Sequence, residues 1–340
     1  MATTQVKALD FEESLAPLAK DLATLEKQAT KQPSPEAQED VEEARLKWLE
    51  RLEALYSDLT AWQTVQVARH PERPHTDDLI NAMCSEFVEF AGDRLYADDP
   101  AMLGGLARLN SRIVMIIGHR KGHDTRENVT RNHGMPHPEG YRKARRLMLQ
   151  AEKYGMPLVC LLDTPAAQAS LPAEERGQAW ALGDNLTTLA TLRVPIVVAV
   201  IGEGGSGGAL AIGIGDRLLM FEHAIYSVAS PEACASIVWK DAKYAPEAAE
   251  ALKLTARDLQ RLGVADEVLK EPIGGAHRDP EAAAASLKDA LCAELDSLCQ
   301  FKTDALLATR YDRLRHFGPF LDTSADGQLT NGAALSRDPI

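Results

Sequence analysis

Residues 194–228 of the 340-residue chain read V-P-I-V-V-A-V-I, then G-E-G-G-S-G-G-A-L-A-I-G-I-G-D, then R-L-L-M-F-E-H-A-I-Y-S-V. The first run is apolar, unbroken and rich in β-branched residues, which is typical of a strand buried on both faces. Glycine dominates 202–208, residues 209–212 predict a helix, and the last run predicts a return to strand. This stretch therefore predicts a glycine-rich turn between a buried strand and a helix.

Such a turn has a specific chemical use. Without side chains, the backbone N–H groups at the positive end of a helix can approach a ligand oxygen closely. If that oxygen gains negative charge during a reaction, the turn acts as an oxyanion hole. A second interpretation is that the glycines only allow the helix to pack tightly on the sheet.

The same glycines also fit the nucleophile elbow G-x-S-x-G of hydrolases. Gly204 to Gly208 matches this pattern with Ser206 as the nucleophile, and Asp266 and His277 follow in the order of a hydrolase triad. Low-complexity glycine runs match it easily, so the pattern has little specificity. A phosphate-binding P-loop is excluded, because no Gly-Lys-Ser/Thr follows at the required spacing.

Composition limits the class of protein. The net charge of −13 does not favour nucleic acid or an anionic membrane as a partner. No run is long and apolar enough to span a bilayer, and residues 1–5 lack the apolar core of a secretion signal. Scattered cysteines without a C-x-x-C pair predict reduced thiols in the cytoplasm and no metal site in this chain. They are Cys84, Cys160, Cys234, Cys292 and Cys299.

The rest of the chain predicts an α/β protein behind an N-terminal helical hairpin. Leucines at helical spacing predict two helices within residues 1–62, broken at Pro33 and Pro35, with the second running over 36–61. Between 63 and 318 we predict a helix from Thr76 or Asp77 to about Phe90, a hairpin over 102–118, a strand at 157–163, one helix over 173–192 and an edge strand at 264–269. We predict a long helix over 280–299 and a flexible tail at 319–340.

Residues 119–146 form a basic segment in an acidic chain. It supports two interpretations: a site for an anionic ligand, or a surface that pairs with the protein's own acidic residues. The candidate anion contacts, CoA included, are Arg120, Lys121, Arg142 and Lys143. Its histidines lack metal-ligand spacing, so most are expected at the surface. In the loop at 91–99, the acidic residues are expected to pair with Arg94 rather than to bind a metal.

Several separated motifs, in order, resemble the carboxyltransferase α subunit of bacterial acetyl-CoA carboxylase, over about residues 10–316. The motifs are R-H-P at 69–71, A-G-D-R at 91–94, Y-A-D-D at 96–99, I-I-G-H at 116–119, G-M-P at 134–136, P-E-G-Y-R-K-A at 138–144, E-E-R-G-Q at 174–178, residues 201–213, S-P-E at 230–232 and G-G-A-H-R at 274–278.

The resemblance implies a crotonase-like ββα superhelix and transfer of a carboxyl group from carboxybiotin, on a separate carrier protein, to acetyl-CoA, giving malonyl-CoA. It also implies a zinc-containing β subunit that binds the acyl-CoA, and an α2β2 assembly. Gly207 and Gly208 would donate N–H groups to the ureido oxygen of biotin as it becomes negative. The biotin-binding residues it implies are Gly204, Gly205, Ser206, Ala166, Ala167, Gln168 and Ala233.

This chain departs from the family in two places. After Asp163 the family has D-T-P-G-A-Y-P-G, whereas this chain has D-T-P-A-A-Q-A-S, and the family glycine after S-P-E is Ala233. Alanine in place of glycine is strained if φ is positive, and otherwise its methyl narrows the pocket. Three hypotheses follow: a working α subunit with a reshaped pocket, a paralogue that has lost catalysis and acts as a scaffold or regulator, or a stand-alone crotonase-like CoA-thioester enzyme or Ser206 hydrolase.

Overall fold

A computed structural model describes residues 6–317, 321–323 and 329–331. The strands of these residues are β1 (Phe87–Glu89), β2 (Met102–Leu109), β3 (Arg112–His119), β4 (Leu158–Thr164), β5 (Ile196–Gly205), β6 (Arg217–Phe221), β7 (Ile225–Ser227), β8 (Glu267–Leu269), β9 (Leu321–Thr323) and β10 (Leu329–Asn331). The helices are α1 (Ala16–Lys31), α2 (Pro35–Tyr56), α3 (Ala61–Ala68), α4 (Thr76–Met83), α5 (Thr125–Thr130), α6 (Pro138–Lys153), α7 (Leu171–Glu175), α8 (Gln178–Thr191), α9 (Ser206–Leu210), α10 (Pro231–Val238), α11 (Ala245–Leu252), α12 (Ala256–Arg261), α13 (Pro280–Leu298) and α14 (Thr303–Arg315).

One mixed sheet forms the core, in the order β1-β2-β3-β4-β5-β6-β8, with β7 paired to the end of β5. β1, β2 and β3 are antiparallel neighbours, and β3 to β8 along this path are parallel. Every residue of β4 and β5 is buried, because helices cover both faces of a parallel sheet. The predicted α/β class, the hairpin, the buried strands and the edge strand are confirmed.

The N-terminal helices α1 and α2 pack against each other, as the leucine spacing predicts. Their apolar faces form a separate cluster that includes Leu22, Trp48 and Leu52. The hairpin is tied to the rest of the chain by buried Glu12, which accepts hydrogen bonds from Arg278 and from the hydroxyl of Tyr56.

Three predicted helices end elsewhere. The second hairpin helix stops at Tyr56, and α3 begins after a Thr60 cap, because Thr60 accepts from the N–H of Gln63. The helix predicted to reach Phe90 stops at Met83, because Phe87 to Glu89 pair with β2. The helix predicted over 173–192 is two, α7 and α8, separated at Gly177, whose φ of +81° is left-handed.

The loop at 91–99 is also organised differently from the prediction. Arg94 donates to the carbonyl of Ala91, while Arg142 pairs with Asp93 and Lys143 pairs with Asp98. The predicted tail at 319–340 lies outside the described residues, apart from β9 and β10, which pair antiparallel. None of the helices in the described part is long and apolar enough to cross a membrane.

Candidate functional site

The glycine stretch is a strand that runs directly into a helix, not the predicted turn. β5 extends through Gly205, because Glu203 to Gly205 pair with β7, and α9 begins at Ser206. The change of direction is made at Ser206, whose φ is +53°. Glycine is therefore used here to let an extended chain lie close to its neighbours, and the single left-handed residue is the serine.

Packing explains most of these glycines. A Cβ on Gly205 would lie 1.9 Å from the carbonyl oxygen of Pro165, and one on Gly208 would lie 2.4 Å from the carbonyl carbon of Ala166. A Cβ on Gly204 would lie 2.7 Å from the ring of Tyr226. Close approach of the 163–170 loop thus requires glycine on both sides of Ser206, in agreement with the tight-packing interpretation.

Gly207 is the exception. A Cβ built there would meet nothing nearer than Leu182, at 3.6 Å, and its φ is not left-handed. The fold of this chain therefore does not require glycine at 207. A requirement for glycine at that position has to come from a molecule outside the chain.

The first-turn amides of α9 are placed to bind such a molecule. The first turn of a helix leaves its N–H groups without helical acceptors, and no side chain caps α9 at Gly205. Gly207, which has no side chain, is half-buried, so its backbone is reachable from solvent, whereas Gly208 is buried. These amides can donate to an oxygen that approaches the start of the helix.

The 163–170 loop lies against α9 and is held by its own hydrogen bonds. The Thr164 hydroxyl donates to the carbonyl of Ala166 at 2.7 Å, and the Gln168 side chain accepts from the Asn132 amide at 3.0 Å. None of the alanines that replace family glycines has a positive φ. Ala233 is exposed in the first turn of α10, where its N–H donates to the Ser230 hydroxyl. Backbone strain therefore does not result from these replacements.

Below α9 lies a buried ionic network that the sequence motifs do not reveal. Asp163 accepts from Lys121 at 2.7 Å and from His75 at 3.1 Å. Lys121 also approaches Glu203 at 3.6 Å, and Glu203 in turn pairs with Arg69. The carboxyl ends of β4 and β5 are thereby tied together beneath the glycines.

Pairing keeps these groups charged despite burial. Burial alone raises the pKa of Asp163, but the Lys121 ammonium and the His75 hydrogen bond outweigh it, so the pKa lies well below its usual range. Burial lowers the pKa of Lys121, and the carboxylates of Asp163 and Glu203 more than reverse that effect. Asp163 and Lys121 are therefore both charged at neutral pH, and their pair holds the strand ends in place.

His119, at the end of β3, is fully buried and contacts both α9 and β4. The N–H of Asp163 lies 3.3 Å from its Nδ1, and the carbonyl oxygen of Gly208 lies 3.2 Å from its Nε2, an arrangement that suits the Nε2–H tautomer. Surface histidine was predicted for most of this segment; His123 and His133 are exposed, His137 is half-buried, and His119 is the clear exception. The apolar strand preceding it was the signal for its burial.

We expect His119 to make stability depend on pH. Burial lowers its pKa from 6.5 to about 4, against a smaller opposing effect of Asp163. Between these values the unfolded chain binds a proton that the folded chain does not, so the free energy of unfolding falls as pH falls from about 6.5 to about 4. The loss from His119 alone is on the order of 1 kcal/mol at pH 5.5.

Urea unfolding of the wild type and of His119→Gln at pH 7.5, 6.5 and 5.5 measures this contribution. The glutamine of the variant cannot titrate, so the variant should lose less stability over that range. Buried His277, whose pKa burial lowers to about 2, is retained and supplies a remaining slope. Equal slopes for the two proteins would contradict the assignment.

The four candidate anion contacts are engaged within the chain. Arg120 pairs with Asp77 and Arg142 pairs with Asp93, while both arginine side chains stay partly exposed. Lys121 is held by the ionic network, and the Lys143 side chain is fully buried against Asp98. The basic segment therefore largely pairs with the chain's own carboxylates, as the second interpretation proposes.

The residues of the proposed hydrolase triad are occupied elsewhere. Asp266 pairs with Arg313 at 2.7 Å, and His277 stacks on His70 with a 3.9 Å separation of ring centroids. The elbow pattern in the sequence therefore has no support from the partners it needs.

One group in the described residues has the composition of a metal site. Carboxylate oxygens of Asp77 and Asp78 and a ring nitrogen of His123 lie within 4.8 Å of one another. Arg120 and Arg131 both contact Asp77, however, so cations of the chain already neutralise it. These residues stabilise the start of α4, where acidic side chains are favourable.

Solved structures of other proteins share this fold. The fold is shared with the transcarboxylase 12S hexamer core (16% identity, TM-score 0.55, 68% of this chain and 43% of that chain). It is also shared with a Pseudomonas malonate decarboxylase hetero-tetramer in complex with coenzyme A (17% identity, TM-score 0.55, 70% of this chain and 94% of that chain). The parallel-rich sheet behind N-terminal helices thus has the crotonase-like fold, as the resemblance predicts.

Sequence relatives identify the branch of that class. The chain belongs to the acetyl co-enzyme A carboxylase carboxyltransferase-like family, whose model matches residues 8–318. It is 54% identical over 312 residues to the acetyl-coenzyme A carboxylase carboxyl transferase subunit alpha of Xanthomonas campestris pv. campestris strain B100, covering 92% of this chain and 98% of that one. Identity to the same subunit of Acidithiobacillus ferrooxidans strain ATCC 53993 is 52% over 314 residues, with the same coverage.

Proposed function

We propose that this chain is the α subunit of a cytoplasmic acetyl-CoA carboxylase and moves a carboxyl group from carboxybiotin, on a carrier protein, to acetyl-CoA. The observation that carries the proposal is the uncapped first turn of α9, reachable at Gly207, in a chain that matches carboxyl transferase α subunits over nearly their whole length. The product is malonyl-CoA.

In this reaction the protein stabilises the negative charge that develops on the ureido oxygen of biotin. Bound carboxybiotin would supply the carboxyl group and, once that group has left with negative charge remaining on the ureido oxygen, the base that takes the proton from the acetyl methyl group. The N–H groups of Gly207 and Gly208 donate to this oxygen and stabilise the negative charge where it develops. Because the donors belong to a helix start packed on the sheet, they are aligned before the reaction begins.

The residues around α9 form the biotin-facing wall in this proposal. Gly204, Gly205 and Ser206 bring the backbone to the ligand, while Ala166, Ala167, Gln168 and Ala233 border it. Because Ala166 and Ala233, which replace family glycines, do not have a positive φ, their methyl groups add bulk without strain. We therefore expect a narrower but competent wall. Among the candidate CoA contacts, partly exposed Arg120 and Arg142 are better placed than buried Lys143.

The partner we propose is a zinc-containing β subunit, in an α2β2 assembly. Exposed apolar side chains are Leu210 on α9, Val228 after β7, and Ile237, Val238 and Trp239 at the end of α10. Val228 is 76% exposed and Ile237 is 67% exposed. Apolar exposure at this density favours a protein interface. A partner seated there would enclose the start of α9, exclude water and supply the acyl-CoA site.

Co-expression with the β subunit tests the function directly. We expect the purified complex to form malonyl-CoA from acetyl-CoA and carboxybiotin at a rate that needs both chains. The chain without its partner, and the partner alone, are the controls. A complex that assembles but forms no malonyl-CoA would contradict the proposal and support the scaffold hypothesis. Replacing 165–170 with the family sequence P-G-A-Y-P-G should then change the rate little if the natural loop is competent.

A further inference from the structure

We propose that His119 is a positioning residue for the oxyanion-binding amides, holding the start of α9 through the carbonyl of Gly208. This inference rests on the proposed function and adds a residue to its machinery. It is carried by the hydrogen bonds of α9, by the orientation of the imidazole, and by the elements that the imidazole joins.

Helix α9 is too short for its own hydrogen bonds to fix its first turn. It has five residues, and the Gly208 carbonyl should accept from the N–H of Ile212 in a continuing helix. That N–H instead bonds the carbonyl of Ala209 at 3.2 Å, because the chain turns after Leu210. The carbonyl of Gly208 is buried, and it receives its hydrogen bond from His119.

The contacts of its two ring nitrogens give the His119 imidazole a defined orientation. We assign the Nε2–H tautomer, because Nδ1 faces the Asp163 N–H and Nε2 faces the Gly208 carbonyl. The ring thus connects the end of β3 to the end of β4 and to α9. The Thr76 hydroxyl, from α4, also donates to the carbonyl of His119, so the residue carrying the ring is held from both sides.

The contact at the Gly208 carbonyl affects how well the oxyanion-binding amides stabilise charge. The N–H and the carbonyl of Gly208 belong to adjacent peptide units that meet at its α-carbon, so holding the carbonyl fixes one of these units and restricts the position of the neighbouring donor. Misplacement by about 1 Å can cost on the order of 10²-fold in rate. Substrate contact is not part of this role, because the His119 side chain is completely buried.

Kinetics of the assembled complex test the role. For His119→Ala we expect kcat to fall on the order of 10²-fold while KM for acetyl-CoA stays within about two-fold, because the donors are misaligned but the acyl-CoA site is untouched. His119→Gln can donate an amide N–H to Gly208 and should recover at least ten-fold of the lost kcat. His277→Ala, which removes another buried histidine, is the control for the general cost of such a change and should keep kcat.

The outcomes separate this inference from the function on which it rests. If the wild-type complex is inactive, the proposed function fails and the positioning role fails with it. If the wild type is active and His119→Ala keeps kcat within three-fold, only the positioning role is overturned.

A spectroscopic measurement does not depend on how well the alanine variant folds. In wild-type protein labelled with ¹⁵N-histidine, and with His119→Gln for assignment, His119 should appear as the neutral Nε2–H tautomer with slow proton exchange, unchanged from pH 8 to pH 6. The Nδ1–H tautomer, or titration in that range, would overturn the proposal.

Discussion

Gly207→Ala should leave the protein folded and almost inactive. The added methyl meets only Leu182, at 3.6 Å, so the chain has room for it, and alanine is favoured over glycine in a helix. If the first-turn amides bind the reacting oxygen, the methyl stands where that oxygen must approach. Loss of one oxyanion-hole donor typically costs about 10²–10³ in kcat, and we expect a decrease of that size.

The measurement is kcat for malonyl-CoA formation by the assembled complex, together with the urea midpoint of the isolated chain. Gly183→Ala is the matched control, because a Cβ at that position in α8 meets no heavy atom within 4 Å. It should keep both activity and stability. Full activity in Gly207→Ala would mean that the amide at 207 does not face the reacting oxygen, and the proposed mechanism would be wrong.

Arg310→Ala should produce the largest loss of stability. The guanidinium is completely buried and bonds both carboxylate oxygens of Asp216, each at 2.8 Å. It also donates to the carbonyls of Leu189, Leu192 and Val194, which end α8 and precede β5. One side chain from α14 thus satisfies a group of buried acceptors.

Removing the guanidinium leaves those acceptors and the Asp216 carboxylate buried without a partner. Breaking a buried pair in this way costs about 3–5 kcal/mol, and we expect that decrease in the free energy of unfolding. Arg193→Ala is the control, because its pair with Asp304 is exposed and such pairs contribute at most about 1 kcal/mol. A loss below about 1 kcal/mol for Arg310→Ala would contradict this account of the buried Arg310 contacts. Part of the loss should be recovered when Asp216 is replaced by leucine in the same chain.

Gly207 and the Arg310 contacts lie at opposite ends of β5. Asp216 also accepts from the N–H of Ile196, so the Arg310 contacts secure the beginning of β5. The other end of β5 enters α9 at Ser206. The Arg310 contacts thus lie at the start of β5, and the amides that we propose to bind the reacting oxygen follow its end. This placement follows the general rule that ligands bind beyond the carboxyl ends of parallel strands.

Local patterns predicted the central elements well. The β-branched run before Gly202, the buried run after Pro157 and the hairpin around Asn110 are strands, because apolar continuity over a few residues is enough to bury an extended chain. The prediction was wrong where pairing with a distant strand decided the conformation. Residues 203–205 look like a turn in sequence, yet β7 makes them the end of a strand.

The pairs of the ionic network, and the contacts of His119 with α9 and β4, could not have been placed from the sequence. Lys121 and Asp163 are 42 residues apart, and Arg69 and Glu203 are 134 residues apart. No local period relates such pairs, and each residue alone looks like an ordinary charged side chain. Likewise, the alanines of the 163–170 loop suggested either strain or bulk, and only the observed φ values exclude strain.

The sequence alone determined the α/β class, the family and the glycine-rich start of α9, because these depend on residue type, local hydrophobic pattern and the order of motifs along the chain. Tertiary structure alone decided which glycines are needed for packing, which charged groups are paired inside, and which side chain holds the carbonyl of Gly208. Those properties depend on distances between segments remote in sequence, and only the folded sheet brings the ends of β3, β4 and β5 within hydrogen-bonding range.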